Sequence, residues 1–303
     1  MNKTLLAYLL IVGISGTAGA GTGVILKRTI GPVDEKYPPG FSPDEYRDEK
    51  LAENLDTYKN SSQSISDVIK NFTDAELVNI GLELYKEHDN SYWVGSGNAD
   101  AGITVQSVRN GEIKRTIDGV TTYFEEQISN GMVGVAKRSI QLVPGDEVKL
   151  YSGSPSNAEV ASYTSDPSIF NKEGYKGYLG KTPDEMFIYV ISNKTTKSSS
   201  RKNENGDIVI NLELDTNIST FYYKTQMKSI SDLDNLPKFS KVNHTYTFSN
   251  EMVLKRLDVD EVYNAAKFAM NTETHNTITY HYFADGIRDI PDLNTPFNYN
   301  VEE

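Results

Sequence analysis

Four histidines, His88, His244, His275 and His281, are the side chains of this sequence best suited to ligate a metal or shuttle a proton near neutral pH. Only His275 and His281 are close, and their even spacing puts both on one face of a strand. A metal site there needs a third ligand, for which Glu273 or Asp285 is the nearest acid. Histidines spaced along a solvated strand are the commoner reading, so no metal is expected. His88 falls where a helix should end, and an imidazole there more often complements the helix dipole than binds a ligand. A serine hydrolase needs its nucleophile on a tight elbow, but no Gly-x-Ser-x-Gly is present; Ser96 in Gly95-Ser96-Gly97 reads as a turn-like glycine cluster. The acid groups Asp44-Glu45, Glu125-Glu126 and Asp258 with Asp260-Glu261 have no spacing that sets two carboxylates across a glycosidic bond. Asp232-Leu233-Asp234 lacks the glycine and terminal glutamate of a calcium loop. The glycines from Gly19 to Gly23 lie in an apolar stretch, and no Gly-Lys-Ser/Thr follows them. The expectation is a protein without catalytic activity and without a cofactor.

Composition narrows the partners. The net charge is −12, and no long Lys/Arg run offsets it, so nucleic acid is not expected to bind. There are no cysteines, which excludes disulfides, zinc-thiolate sites, cysteine nucleophiles and a lipid-modified cysteine. Tyrosine is abundant at 19 residues against one tryptophan, Trp93, as suits half-buried sheet positions where a ring packs and a hydroxyl stays wet.

The elements that would position these groups begin with an uncharged run, residues 4–26, flanked by Lys3 and by Lys27-Arg28. At about 1.5 Å per residue such a run just spans a hydrocarbon core of about 30 Å. A cleaved signal peptide ending near Ala18-Gly19-Ala20 is the alternative. The uncleaved anchor is preferred, because apolar residues resume at Val24-Ile25-Leu26 and basic ones follow. Residues 1–30 are thus anchor or signal, and the rest is expected outside the cytoplasm, secreted if the run is cleaved. Residues 31–63 read as a Pro-rich linker and a charged helix opened by Ser42-Pro43-Asp44-Glu45, either packed on the domain or standing as a stalk. Residues 64–290 read as one α+β domain, and 291–303 as a loose tail.

Within that domain, Ile65, Val68, Ile69 and Phe72 share a helical face, and Thr73 with Glu76 forms a capping box for a second helix running to about His88. A β-meander follows over 102–152. Turns are expected at Asn110-Gly111, Asp118-Gly119, Asn130-Gly131 and Pro144-Gly145-Asp146. Between them Ile113 and Ile117, Val133 and Val135, Ile140 and Leu142, and Val148 and Leu150 alternate, which predicts one apolar sheet face. Residues 153–181 read as a long loop with a strand at 159–163. Thr182-Pro183-Asp184-Glu185 reads as the start of a short helix. A hairpin over 194–214 turns at Asn205-Gly206, with a polar edge strand. A helix over 217–229 with Ile218, Phe221 and Tyr222 inward, strands at 241–248 and 251–263, and a last strand at 277–283 complete the pattern.

From 208 to 263 the order DIVINLELD, a helix carrying YYKTQM, the turn DLDNLPKF and the hairpin VNHTYTFSNEMVLKRLDVDEVY resembles the second half of the LolA/LppX/LprG-like lipoprotein-carrier half-barrels. The helix at 65–88 and its meander are similar to their first half. The resemblance covers about 65–285, and the lipobox cysteine of many members is absent here. It implies a curved, mostly antiparallel sheet with helices packed on one face. It also implies a cavity that takes a lipid or other apolar small molecule. Helix residues Ile80, Leu84 and Phe221 would line such a cavity. From the sheet Val133, Val135, Ile140, Leu142, Ile210 and Leu212 would join them. The competing reading is a cell-surface module that binds protein or wall polymer through a Tyr-rich exposed sheet face.

Overall fold

The computed structural model describes residues 37–101, 104–131, 136–153, 163, 166–179, 182–183, 188–231, 236–264, 272–282, 290 and 297. Its strands are β1 Asn90–Ala101, β2 Thr104–Ile117, β3 Val120–Gly131, β4 Ala136–Pro144, β5 Glu147–Gly153, β6 Ser168–Asn171, β7 Thr196–Glu204, β8 Asp207–Leu214, β9 Lys238–Phe248, β10 Leu254–Asn264 and β11 Thr272–Tyr282. They form one antiparallel sheet in the order β6-β5-β4-β3-β2-β1-β11-β10-β9-β8-β7. The sheet is curved and unclosed, and with its helices it makes the half-barrel-like α+β fold expected from the sequence. Two meanders meet at β1 and β11, which pair from Ser91↔Tyr282 to Asp100↔Glu273. The helices are α1 Leu51–Lys59, α2 Ile65–Val68, α3 Asp74–Lys86, α4 Lys172–Leu179 and α5 Phe221–Ser231.

Local chemistry explains most of this. The capping box of α3 is made: Glu76 N–H donates to Thr73 Oγ1 at 3.3 Å, and Thr73 N–H to Glu76 Oε2 at 2.8 Å. Asp118-Gly119 and Asn205-Gly206 turn with φ of 50° and 77°, and of 53° and 87°, as primed hairpin turns require. Asn110-Gly111 and Asn130-Gly131 do not turn. β2 runs straight through Gly111, which lies opposite Val94 and Glu126, and β3 continues to Gly131. At Gly111 the missing side chain makes room for a ring, because a Cβ there would sit 2.4 Å from Phe297 Cε1. Asn-Gly permits a tight turn without forcing one, and long cross-strand pairing on both sides holds β2 extended.

The predicted single apolar face is in fact two. Leu142 pairs with Lys149, and Leu150 with Gln141, so Leu142 and Leu150 lie on opposite faces. On the inner, helix-bearing face Val143, Val148 and Leu150 pack against Tyr175 of α4. On the outer face Tyr92, Ile113, Phe124 and Leu142 are covered by Tyr163, Ile290 and Phe297. Phe297, in the tail read as loose, is buried and stacks on Phe124 at 6.0 Å. The other meander is one-sided. Its strands alternate, with Val242, Tyr246, Leu257, Val259 and Ile278 buried and Thr245, Thr247, Thr277 and Thr279 partly exposed.

Three further expectations change. The long loop at 153–181 contains β6 and α4, and Asn171 Oδ1 accepts from Gly174 N–H at 2.8 Å at the helix start. Of the strand expected at 159–163 only Tyr163 is described. Thr182-Pro183 is irregular, 184–187 lie outside the described residues, and Ile188–Ile191 run buried without regular pairing. α5 begins at Phe221, because Asp215 Oδ1 accepts from Asn217 and Ile218 N–H at 2.8 and 2.7 Å and holds 216–220 in turns. At the N-terminus, Leu55 and Tyr58 of α1 pack on the core, which rules out a free stalk for this helix. Residues 4–26 lie outside the described residues, among which no helix is long and apolar enough to cross a membrane.

Candidate functional site

The inner face beneath α3 and α5 is filled. Ile80, Ile210 and Leu212 are buried in one cluster with Trp93, Tyr246 and Phe248. Phe221, expected to face this interior, instead packs on Tyr37 and Phe41 with ring centroids at 4.8 and 5.1 Å. The later start of α5 sets its phase, so Tyr223 and Met227, one turn apart, are buried in the core instead. Leu142 is on the outer face, away from the helices. Ile140 is opposite Glu126 and Tyr151 in register, and Val133 and Val135 lie outside the described residues.

Open space lies beside Leu84. A cleft of about 270 Å³ lies between the end of α3 and the β9–β10 turn, lined by Leu84, Tyr85, His88, Met252, Leu254 and Tyr282 among others. The turn reaches it through Met252, whose φ is 60°, while Tyr282 Oη donates to Leu254 O at 2.7 Å and fixes the far wall. The His88 ring lies against Tyr282 at 4.4 Å. Partial burial, helped by the Lys114 charge, pulls the His88 pKa below its ordinary value, so a neutral imidazole sits at the rim. Glu87 on the same rim is paired with Lys59 of α1. The result is an apolar floor with a polar edge. His88, Met252, Leu254 and Tyr282 were not predicted as site residues, because the wall they make depends on how a turn far downstream, at Ser249–Met252, meets α3.

The chemically able groups are sealed inside. Tyr189 Oη donates to Glu261 Oε1, Thr274 Oγ1 donates to Oε2 at 3.3 Å, and Tyr223 reaches the same carboxyl. Burial nonetheless dominates and pushes the Glu261 pKa up to about 8. His244 is buried beside it, with Nδ1 2.9 Å from Tyr246 Oη and its ring edge-on to Tyr189 at 4.7 Å. Burial drops its pKa to about 3, so it is a neutral imidazole in the core. Lys224 on α5 is also buried and donates to Tyr37 Oη at 3.1 Å. Glu261 follows Val259 and precedes Tyr263 at period two, a signal that marks it as inward despite its acidic neighbours.

His275 and His281 share the outer face as predicted. His275 Nδ1 is 2.6 Å from Asp260 Oδ1, and the His281 ring stacks on Tyr92 at 4.5 Å. Six residues at about 3.3 Å each separate them by roughly 20 Å, too far for one ion. Among the described residues no group of three His, Asp or Glu side chains is placed to hold a metal. Tyr246, Tyr263 and Tyr280 are buried, so these three tyrosines form no exposed aromatic face.

No protein-family model and no curated protein sequence matches this chain. Among solved structures it is similar to a DUF1329 family protein from Desulfovibrio piger, at 8% identity and a TM-score of 0.28, over 71% of this chain and 94% of that one. A protein described as an outer membrane lipoprotein-sorting domain from Vibrio parahaemolyticus aligns at 10% identity and a TM-score of 0.22, over 68% and 91%. The ywiB protein from Bacillus subtilis aligns at 9% and 0.17, over 65% and 94%. These are weak likenesses, including the one to a lipoprotein-sorting domain, and they carry no argument about ligand or activity.

Proposed function

We propose that this chain is a non-catalytic binding protein for a lipid or other small apolar ligand, held outside the cytoplasm by residues 4–26. The observation that carries the reading is the cleft at Leu84. It has an apolar floor and a polar rim, and its volume of about 270 Å³ approaches the roughly 300 Å³ at which small-molecule sites begin. That size fits the end of an acyl chain rather than a whole lipid, with the headgroup left at the Glu87–His88 rim. The sealing of Glu261 and His244 within the tyrosine-lined core supports binding without catalysis. The uncharged run with flanking basic residues supports the anchor.

The experiment is uptake of a fluorescent fatty acid by the delipidated full chain in detergent. Saturable one-to-one binding is expected, at least tenfold weaker in Leu84→Trp, whose indole fills the cleft. Leu84 is only partly buried, so the variant should keep the unfolding midpoint of the parent. No uptake by the parent, or equal uptake by a folded Leu84→Trp protein, overturns the reading.

A further inference from the structure

The cleft at Leu84 is floored by three buried side chains, Tyr85, Met252 and Leu254, all of which also belong to the core cluster behind it. Tyr85 stands on α3 and Leu254 on β10, whereas Met252 stands on the turn between β9 and β10. Ser249 ties that turn. Its N–H donates to Val253 O at 2.8 Å, its carbonyl accepts from Met252 N–H at 3.0 Å, and its hydroxyl accepts from Glu251 and Val253 N–H at 3.1 and 3.2 Å. At a φ of 60° Met252 holds a left-handed conformation that a side chain disfavours, so contacts beyond the turn must keep it there. On the inside that contact is its own thioether, wholly buried between cleft and core. On the outside it is α1.

The last turn of α1 joins the two walls of the cleft. Tyr58 Oη donates to Glu251 O at 3.4 Å, and Lys59 pairs with Glu87 at the end of α3. Glu251 and Glu87 both line the cleft, one from the turn and one from the helix. The clasp is weak by its chemistry. The Tyr58 bond is long, and an exposed Lys–Glu pair contributes little in water. α1 itself has 9 residues and no side chain bonded at its N-cap, so little besides these contacts and the packing of Leu55 and Tyr58 holds it.

On the reading of the cleft as an apolar site, on which this rests, we infer that Met252 sets how long an apolar chain the cleft accepts, with α1 holding it in place. An unbranched thioether repacks more easily than the ring of Tyr85 or the branched side chain of Leu254, so Met252 is the part of the floor that yields. With its turn clasped, the cleft stays at about 270 Å³ and takes a short chain. With the turn drawn back, the space that Met252 leaves in the core is added to the cleft, and a longer chain enters.

The test is competition of octanoic and hexadecanoic acid against the fluorescent fatty acid on the delipidated full chain. The two acids share a headgroup, so any change of charge at the rim cancels in the ratio of their affinities. Met252→Ala should shift that ratio toward hexadecanoic acid by about tenfold, the effect of burying roughly two more methylenes. Lys59→Glu, which sets like charges against each other at Glu87, should shift it the same way by about threefold, as opening a surface ion pair allows. Adding Glu87→Lys to that variant should return the ratio to the parent value. Where Met252→Ala fails to fold, the exposed Lys59→Glu change decides. No competition by either acid on the parent overturns the apolar reading of the cleft, and the role of Met252 with it. Competition by both acids, with a ratio unmoved in folded Met252→Ala or in Lys59→Glu, overturns the role of Met252 alone.

Discussion

Glu261→Gln makes the interior of the half-barrel report its own protonation. Buried Glu261 titrates at about 8 against an ordinary value of 4.5, so between those values the folded chain keeps a proton that the unfolded chain has lost. Rising pH then favours unfolding, because stability falls wherever the folded state binds more protons. His244 has the opposite sign. Its folded value of about 3 lies below its ordinary 6.5, so stability rises with pH between them. From pH 4.5 to 6.5 these two slopes are one proton each and cancel. From 6.5 to 8 His244 is neutral in both states and Glu261 acts alone. At about 1.4 kcal/mol per pH unit, its contribution over that window is about 2 kcal/mol.

Glutamine keeps the shape and can still accept from Tyr189 and bond Thr274, while removing the titration. The assay is urea unfolding at several pH values, read by Trp93, the only tryptophan and a buried core residue. The parent should lose about 2 kcal/mol relative to Glu261→Gln between the two ends of the window, with equal m-values. Other buried carboxylates, such as Glu112 and Glu125, affect both proteins alike, so the difference between the curves isolates Glu261. Parallel curves for parent and variant over that window would refute the protonated, desolvated carboxyl on which the reasoning stands.

Gly111→Ala should destabilise by about 1–3 kcal/mol through overpacking against the Phe297 ring. A double-mutant cycle with Phe297→Ala should recover part of that, with the rest kept by the Trp93 carbonyl 3.1 Å from the new Cβ; additive effects would mean that the ring is not in place. Thr73→Ala should cost about 1 kcal/mol or somewhat more, because its hydroxyl both caps Glu76 N–H and donates to Asn193 Oδ1 at 2.7 Å; urea unfolding reads it, and no loss would mean the cap is dispensable. Ile210→Ala, at a fully buried position, should cost about 2–5 kcal/mol if the interior is the packed core described; a loss well under 1 kcal/mol would point instead to an accommodating cavity.

The half-barrel was legible because its signals are local. Period-two alternation, a polar edge strand, two Asn/Asp-Gly turns and the Thr73–Glu76 box each depend on a handful of adjacent residues. The errors came where one residue type serves two ends. Asn110-Gly111 and Gly95-Ser96-Gly97 carry turn chemistry, yet both lie mid-strand, and their glycines are there because Phe297, Asn110 and Asn276 press against them. Nothing within ten residues of Gly111 announces Phe297. The same long range hid the cleft, whose walls come from α3, a turn near Met252 and the end of β11. It also hid the sense of the alternation: Leu142 and Leu150 look equivalent in sequence, and the β4–β5 register alone sends one outward and the other toward α4.

That register recasts what the sheet offers a ligand. With Leu142 turned outward and Ile80, Ile210 and Leu212 packed solid, the described inner face has no long apolar trough. It has a filled aromatic core around Glu261, a band of buried amides and carboxylates across β11 to β3, and a small apolar cluster under α4. In such a half-barrel the space open to an apolar group lies at the Leu84 margin. α3 positions that margin through Leu84 and Tyr85, while the band is held by the paired strands, so a ligand at the margin should leave the sheet as it is. Saturating the cleft with fatty acid should therefore leave the emission of Trp93 on β1 unchanged, and a clear spectral shift would show that α3 and the sheet move together.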